Sequence, residues 1–162
     1  MKRLFTICLM FLCVTLTFAQ LNIVKHRAKK GYETIATSDA KQKSLSISFD
    51  SGTFYLIDTK PSFGKSVCDL YIPLGKTKES ALQSLNDLLS LSTTLEDDAS
   101  VKIGGYVTHA HTHQLIDIEI HVSAGKMFGQ PYLIFQHDYN SDAQYCWDKA
   151  DIKKMIKGLD KY

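Results

Sequence analysis

The fold is decided by residues 101–122, which read VKIGGYVTHAHTHQLIDIEIHV. Apolar and polar residues alternate in both halves of this stretch, and a period of two is typical of a β-strand with one buried face. We therefore predict an antiparallel hairpin. A two-residue turn at Thr112 and His113 would pair Ile103 with Val122 and would place the apolar residues of both strands on one face.

The same kind of patterning continues on both sides of this hairpin. Strands are predicted at 45–49, 54–57, 66–74 and 132–137, with a weaker candidate at 32–37. Thr77 offers the N-cap of a helix that reaches about Ser92, and Asp148 offers the N-cap of a final helix. Each helix carries an apolar stripe at helical spacing, formed by Ala81, Leu82, Leu85, Leu88 and Leu89 in the first and by Ile152, Met155, Ile156 and Leu159 in the second.

The order of these elements predicts an α+β fold, in which antiparallel sheet is covered by two helices. Three strands and a helix occur in 44–95 and again in 101–162. A Phe-Gly pair precedes the third strand in both units, at Phe63 and at Phe128. We interpret this order as a βββα-βββα internal pseudo-duplication with six or seven strands. The alternative is two unrelated halves that share an order.

Residues 1–19 have the layout of a secretory signal peptide. Lys2 and Arg3 precede an apolar run that ends in a small-residue cleavage site before Gln20. We therefore expect export to a periplasm or to the extracellular space, with no transmembrane segment left after cleavage. The mature chain would consist of a polar lead-in or edge strand over 20–43 and a single domain over 44–162.

The predicted mature chain has no net charge. Removing Lys2 and Arg3 leaves 17 basic and 17 acidic residues. A general nucleic-acid binder carries a basic surface, so the sequence argues against a nucleic-acid partner.

Two cysteines, Cys68 and Cys146, remain after the predicted cleavage. In an exported chain, two cysteines most simply form one disulfide, and we expect that bridge. The functional alternative is a nucleophilic cysteine paired with a histidine.

The central stretch also contains a histidine cluster, formed by His109, His111 and His113. Three imidazoles at alternate strand positions suit Zn²⁺, so a metal-binding protein or a metal-dependent hydrolase is one hypothesis. In the predicted hairpin, however, the three side chains do not converge. A polar hairpin tip without any cofactor is therefore the alternative.

The other face of the hairpin carries polar and charged residues. Tyr106, Asp117, Glu119 and His121 would point away from the core, where a pair of carboxylates beside a histidine can serve acid–base chemistry. Antiparallel sheets usually expose such a face to solvent, which is the alternative. Gly104 and Gly105 indicate either a β-bulge or the close approach of another backbone.

The function that these features favour is an exported, non-catalytic binding module for a protein or glycan ligand. No enzyme reaction class is supported by a motif. The candidate ligand-binding residues are Trp147, Tyr145, Tyr139, Lys126 and Phe128. A second hypothesis is a secreted inhibitor or immunity-type protein that acts through a loop over 123–131.

Overall fold

The computed structural model describes residues 33–37, 44–64, 68–96, 99–109, 114–127 and 129–162. Within these ranges the chain forms one eight-stranded antiparallel sheet with two helices packed against it. The α+β fold with two covering helices is therefore confirmed. The strands are β1 (Glu33–Thr37), β2 (Leu45–Asp50), β3 (Thr53–Asp58), β4 (Cys68–Gly75), β5 (Ser100–His109), β6 (Leu115–Met127), β7 (Gln130–His137) and β8 (Tyr145–Asp148), and the helices are α1 (Lys78–Thr94) and α2 (Lys149–Asp160).

Both helices begin where the sequence predicts. Thr77 caps α1, and its hydroxyl accepts a hydrogen bond from the Ser80 N–H. Asp148 caps α2, and its carboxylate accepts one from the Asp151 N–H. Each cap satisfies a backbone donor that the first helical turn leaves unpaired. The inward residues are those of the predicted stripes, with Ala81, Leu85 and Leu88 buried on α1 and Ile152, Met155 and Leu159 buried on α2.

The sheet curls around the two helices. Its strands follow chain order, so that β1 and β8 stand at opposite ends of the strand order. Helix α2 nevertheless packs against both β1 and β8, while α1 packs against β4 and β7. One helix can contact both ends only if the sheet wraps around it. The core therefore lies on the inner side of a strongly curved sheet.

A clasp between β3 and β8 holds this curvature. The Trp147 indole N–H donates to the Asp58 carboxylate at 2.8 Å, and both side chains are buried. Burial raises the pKa of Asp58, and hydrogen bonds from Trp147, the Lys60 N–H and Ser44 partly offset that effect. Nearby, the Tyr145 hydroxyl donates to the Cys68 carbonyl at 3.1 Å.

The connection between β3 and β4 also reaches β8. Phe63 and Gln144 form a β-bridge with reciprocal backbone hydrogen bonds. The Ser62 hydroxyl then accepts from the Cys146 N–H at 3.1 Å. This connection covers part of the β8 edge, which would otherwise present unpaired backbone groups.

The predicted β5–β6 hairpin is present, but its register is wrong by two residues. The structure pairs Ile103 with Ile120 rather than with Val122. Strand β5 ends at His109 and β6 begins at Leu115, so the connection is longer than a two-residue turn. Because the shift is even, every side chain stays on its predicted face.

Of the two explanations for the paired glycines, the close backbone approach applies to Gly105. The register runs unbroken through Gly104 and Gly105, so there is no bulge. A Cβ at Gly105 would lie 2.8 Å from the Tyr71 carbonyl oxygen and still closer to Ile120 Cδ1. At Gly104, a Cβ would meet nothing within 4 Å.

The structure gives no evidence of the predicted internal duplication. In the described residues each helix follows four strands rather than three, because β1 and β8 belong to the same sheet. The two Phe-Gly pairs are also not equivalent. Gly64 lies in the long β3–β4 connection, whereas Gly129 lies in the tight turn between β6 and β7.

The predicted disulfide between Cys68 and Cys146 is absent from the structure. Cys68 belongs to the core cluster, whereas Cys146 alternates on β8 with the inward-facing Tyr145 and Trp147. The two side chains therefore lie on opposite faces of the sheet. Burial raises the pKa of the Cys146 thiol, which opposes the nucleophilic-cysteine alternative because the thiolate is the reactive form.

The predicted signal peptide (1–19) and the start of the lead-in (20–32) lie outside the described residues. Strand β1 is the terminal strand of the described sheet, at the place where the sequence offers an edge strand as one alternative. Within the described ranges, neither helix has the length and apolarity that crossing a membrane requires.

The close packing at Gly105 predicts that alanine substitutions at the two adjacent glycines have very different effects on stability. We expect Gly105→Ala to lower the free energy of unfolding by about 1–3 kcal/mol, because the added methyl group must displace the Ile120 side chain or the Tyr71 backbone. The matched control, Gly104→Ala, has open space around it and should change stability by less than about 0.5 kcal/mol. Urea unfolding of the three proteins measures both values, and equal effects would contradict the predicted close approach.

The clasp predicts strong coupling between Asp58 and Trp147. We expect a double-mutant cycle with Asp58→Ala and Trp147→Phe to give a coupling energy of about 1.5–3 kcal/mol, the usual range for a hydrogen bond to a charged group. Chemical unfolding of the wild type, both single variants and the double variant provides the four values. Additive losses would show that the two side chains stabilise the fold independently.

Candidate functional site

Two of the predicted ligand-binding aromatics belong to the core. Trp147 is 2% exposed and Tyr145 is fully buried. Trp147 packs on Phe135, with the ring centroids 3.9 Å apart. Odd-numbered residues of β8 face inward, so neither side chain is available to a ligand at the surface.

Tyr139 is the predicted aromatic that does reach solvent, with 44% of its surface exposed. It lies in a short 3₁₀ turn, Asp138–Asn140, which follows β7 directly. Lys126 is also exposed, near the end of β6. Phe128 lies outside the described residues.

The predicted loop over 123–131 is wrong, because most of this segment is regular hairpin, while the inhibitor hypothesis that was attached to it stays a prediction. Strand β6 continues to Met127 and β7 begins at Gln130, with Lys126 paired to Pro131. The sequence does not predict these strand pairs, because the small residues Ser123, Ala124 and Gly125 show no apolar alternation. At Gly125 a Cβ would lie 2.6 Å from the Ile134 side chain, so the missing side chain makes room for the neighbouring strand.

The histidine cluster stays a prediction. His111 and His113 lie outside the described residues, as does the side chain of His109, whose backbone pairs with Cys68 at the end of β5. Among the residues that the structure does describe, no three His, Cys, Asp or Glu side chains are grouped as a metal ion would require.

The outer face of the β5–β6 hairpin contains an exposed ion pair. Lys102 Nζ lies 2.8 Å from Glu119 Oε1, and His121 Nε2 lies 3.6 Å from the same oxygen. The hydrogen bond from Lys102 lowers the pKa of Glu119 and raises that of Lys102. A general acid needs the opposite shift, so the pKa of Glu119 does not support a role as proton donor.

A pocket of about 320 Å³ lies on this outer face, beside the ion pair. It falls near the lower end of the roughly 300–1,000 Å³ range of small-molecule sites. The residues that line it are of polar types and come from three strands and the turn after β7. The lining residues are Ser100, His121, Ser123, Gln136, His137, Asp138 and Ser141.

Strand register brings most of this lining together. Ser100 on β5 pairs with Ser123 on β6, and His121 pairs with Gln136 on β7. Paired residues on one face of a sheet have Cβ atoms about 4.5–5.5 Å apart, so these side chains are direct neighbours. The 3₁₀ turn then adds Asp138 at the end of β7.

His137 stands at the boundary between the pocket and the core. It is 1% exposed and caps the 3₁₀ turn, since its Nδ1 accepts a hydrogen bond from the Asn140 N–H at 3.2 Å. Its Nε2 is buried and has no hydrogen-bond partner within the described structure. Burial lowers the pKa of His137, and the charge of Asp138 offsets part of that effect.

No family model, curated protein or solved structure matches this chain.

The functional groups of the pocket indicate which ligands it can bind. Three serine hydroxyls, an amide, two imidazoles and a carboxylate provide both donors and acceptors over a small area. Of these residues the sequence singles out His121 alone. The others come from separate elements and carry no local motif, so only the strand register reveals that they meet.

The burial of His137 predicts a pH-dependent stability. Its folded pKa lies below the usual 6.5, so the unfolded chain takes up the proton first as the pH falls. The stabilising contribution is present above pH 6.5 and is lost as the pH falls through the folded pKa, by at most about 1.4 kcal/mol per pH unit.

We expect His137→Asn to show a smaller loss of thermal stability between pH 7.5 and pH 5 than the wild type. Asparagine can still accept the Asn140 N–H but does not titrate. His121→Asn, on the outer face of the sheet, is the control and keeps the wild-type loss because His137 is intact. Identical pH profiles for the wild type and His137→Asn would refute the assignment.

Proposed function

We propose that the protein is an exported, non-catalytic binding module that recognises the hydroxyl groups of a glycan at the outer-face pocket. The observation that carries this proposal is the lining of the pocket, in which polar side chains from β5, β6, β7 and the 3₁₀ turn converge. The protein ligand that the sequence also allows becomes an outcome of the test.

The functional groups of the pocket suit a sugar. Each hydroxyl of a sugar both donates and accepts hydrogen bonds, and the same is true of the Ser100, Ser123 and Ser141 hydroxyls. The Gln136 amide offers both kinds of group, and the Asp138 carboxylate accepts charge-assisted hydrogen bonds. Such a lining can satisfy several adjacent hydroxyls at once.

Tyr139 supports this assignment by its position in the chain. It follows the lining residue Asp138 in the same 3₁₀ turn and keeps 44% of its surface exposed, so an exposed aromatic side chain lies one residue away from the pocket lining. Aromatic side chains with a polar tip are suited to surfaces that are apolar on one side and wet on the other, and a sugar ring presents such a surface.

The charges beside the pocket favour binding over catalysis. Lys102 holds the pKa of Glu119 low and compensates its charge, so the carboxylate nearest to His121 is not poised to give up a proton. The predicted signal peptide would deliver the protein to a compartment where glycans are exposed.

The test is direct binding of a panel of neutral and acidic oligosaccharides, by glycan array and then by calorimetry. We expect Asp138→Asn to weaken binding by about 10- to 100-fold, which corresponds to the roughly 1.5–3 kcal/mol of a hydrogen bond to a charged group. Tyr139→Ala should also weaken binding. Tyr162→Ala is its matched control, because Tyr162 is 52% exposed but its hydroxyl contacts Glu33 at the β1 end of the sheet.

Two results would contradict the proposal. One is the absence of binding to any glycan at millimolar concentration. The other is an affinity that is equal in the wild type and in Asp138→Asn. Binding of a purified protein partner that depends on Tyr139 but not on Asp138 would instead support the protein-ligand alternative.

A further inference from the structure

The turn that closes one side of the pocket is capped by a buried histidine. Asp138 lines the pocket from within the 3₁₀ turn, and Ser141 lines it directly after the turn. The turn begins at His137, whose Nδ1 accepts the Asn140 N–H. A nitrogen that accepts a hydrogen bond carries no proton, so the hydrogen bond requires neutral His137 with its proton on Nε2.

The closed turn disfavours a second proton on the His137 ring. Protonation at Nδ1 would set two N–H donors against each other, that of the ring and that of Asn140. It would also create a cation on a side chain that is 1% exposed, while the Nε2 atom has no acceptor in the described part of the chain. Burying an unpaired charge is costly, so the charged form favours release of the ring.

The groups around His137 would do little to stabilise a positive charge on its ring. The His137 ring stacks on Tyr145 of β8, with the ring centroids 6.1 Å apart. The Tyr145 hydroxyl is already engaged, since it donates to the Cys68 carbonyl. On β6, His137 pairs with the apolar Ile120, and the inward residues of α1, which packs on β7, are Ala81, Leu85, Leu88 and Ser92. The acidic neighbour is Asp138, which is exposed and interacts with Lys102 as well.

We propose that His137 is an acid-operated latch on the pocket, whose neutral form holds the 3₁₀ turn closed and whose protonated form releases Asp138 and Ser141. This regulation rests on the proposed glycan-binding function, because it acts on the same pocket. Ligand would be bound at neutral pH and released on acidification. The only chemical step is the uptake of one proton by the imidazole.

The first readout needs no ligand. The protection factor of the Asn140 amide, from hydrogen exchange followed by NMR, reports the latch directly. We expect it to fall by up to about tenfold per pH unit in the wild type as the pH falls from about 6.5, the usual pKa of histidine, to the folded pKa of His137, and to level off below that pKa, as linkage to one proton requires. In His137→Asn the asparagine keeps the acceptor without titrating, so the protection factor should change less than twofold over the same range.

The second readout is affinity for the tightest-binding oligosaccharide of the panel, measured at pH 7.5 and at pH 5. The wild type should lose affinity at least tenfold on acidification, and His137→Asn should lose less than twofold. The ratio within each protein is compared, so a difference in overall stability between the two does not affect the conclusion.

The outcomes separate the two proposals. Constant protection of Asn140 while NMR shows His137 titrating would overturn the latch, whatever the glycan result. An equal loss of affinity in the wild type and in His137→Asn would also overturn it. Acid-dependent opening of the turn in a protein that binds no glycan at any pH would support the latch and overturn the proposed ligand.

Discussion

The hydrogen bond between the Trp147 indole and the Asp58 carboxylate is the constraint on which the curled sheet depends. Four strands lie between β3 and β8, and adjacent strands of a sheet are twisted relative to one another, so a direct contact between β3 and β8 requires the sheet to curl. A buried carboxylate is costly, and burial does raise the pKa of Asp58. The indole, the Lys60 N–H and Ser44 offset that cost, which makes the clasp specific to this arrangement of strands.

The two faces of the curled sheet differ: the inner face packs on the helices, and the outer face carries the pocket. On β7 the inward residues Leu133 and Phe135 are fully buried in the core, whereas Gln136 faces the pocket. His137 ends this alternation at the point where the strand becomes a 3₁₀ turn. One residue therefore belongs both to the packing of the core and to the lining of the pocket, and the proposed latch rests on this position.

The sequence predicts what local chemistry determines. Thr77 and Asp148 cap their helices because a cap requires only a side chain and a backbone N–H three residues away. The faces of β5 and β6 are also predictable, since side-chain alternation survives a two-residue error in register. The α+β fold follows from these elements.

Other features depend on contacts between distant residues. Strand β8 is four residues long, and its pairing with β7 and with the β3–β4 connection cannot be inferred from Tyr145–Asp148 alone. The same strand explains the absent disulfide, because its pleat turns Cys146 away from the core that holds Cys68. The pocket cannot be predicted from the sequence for the same reason, since its lining residues meet only through strand register, which the sequence does not give.

The strand order has a consequence for how the chain acquires its structure. Every described strand pairs with the one that precedes it in sequence, so a chain that emerges from its N-terminus can add each strand to the sheet already formed. The clasp is different, because Asp58 must wait for a partner 89 residues further along. Contacts of such large sequence separation form late and slowly. A chain in which β8 has not yet formed lacks this contact, and the inner surface that Trp147 covers in the folded protein is then exposed.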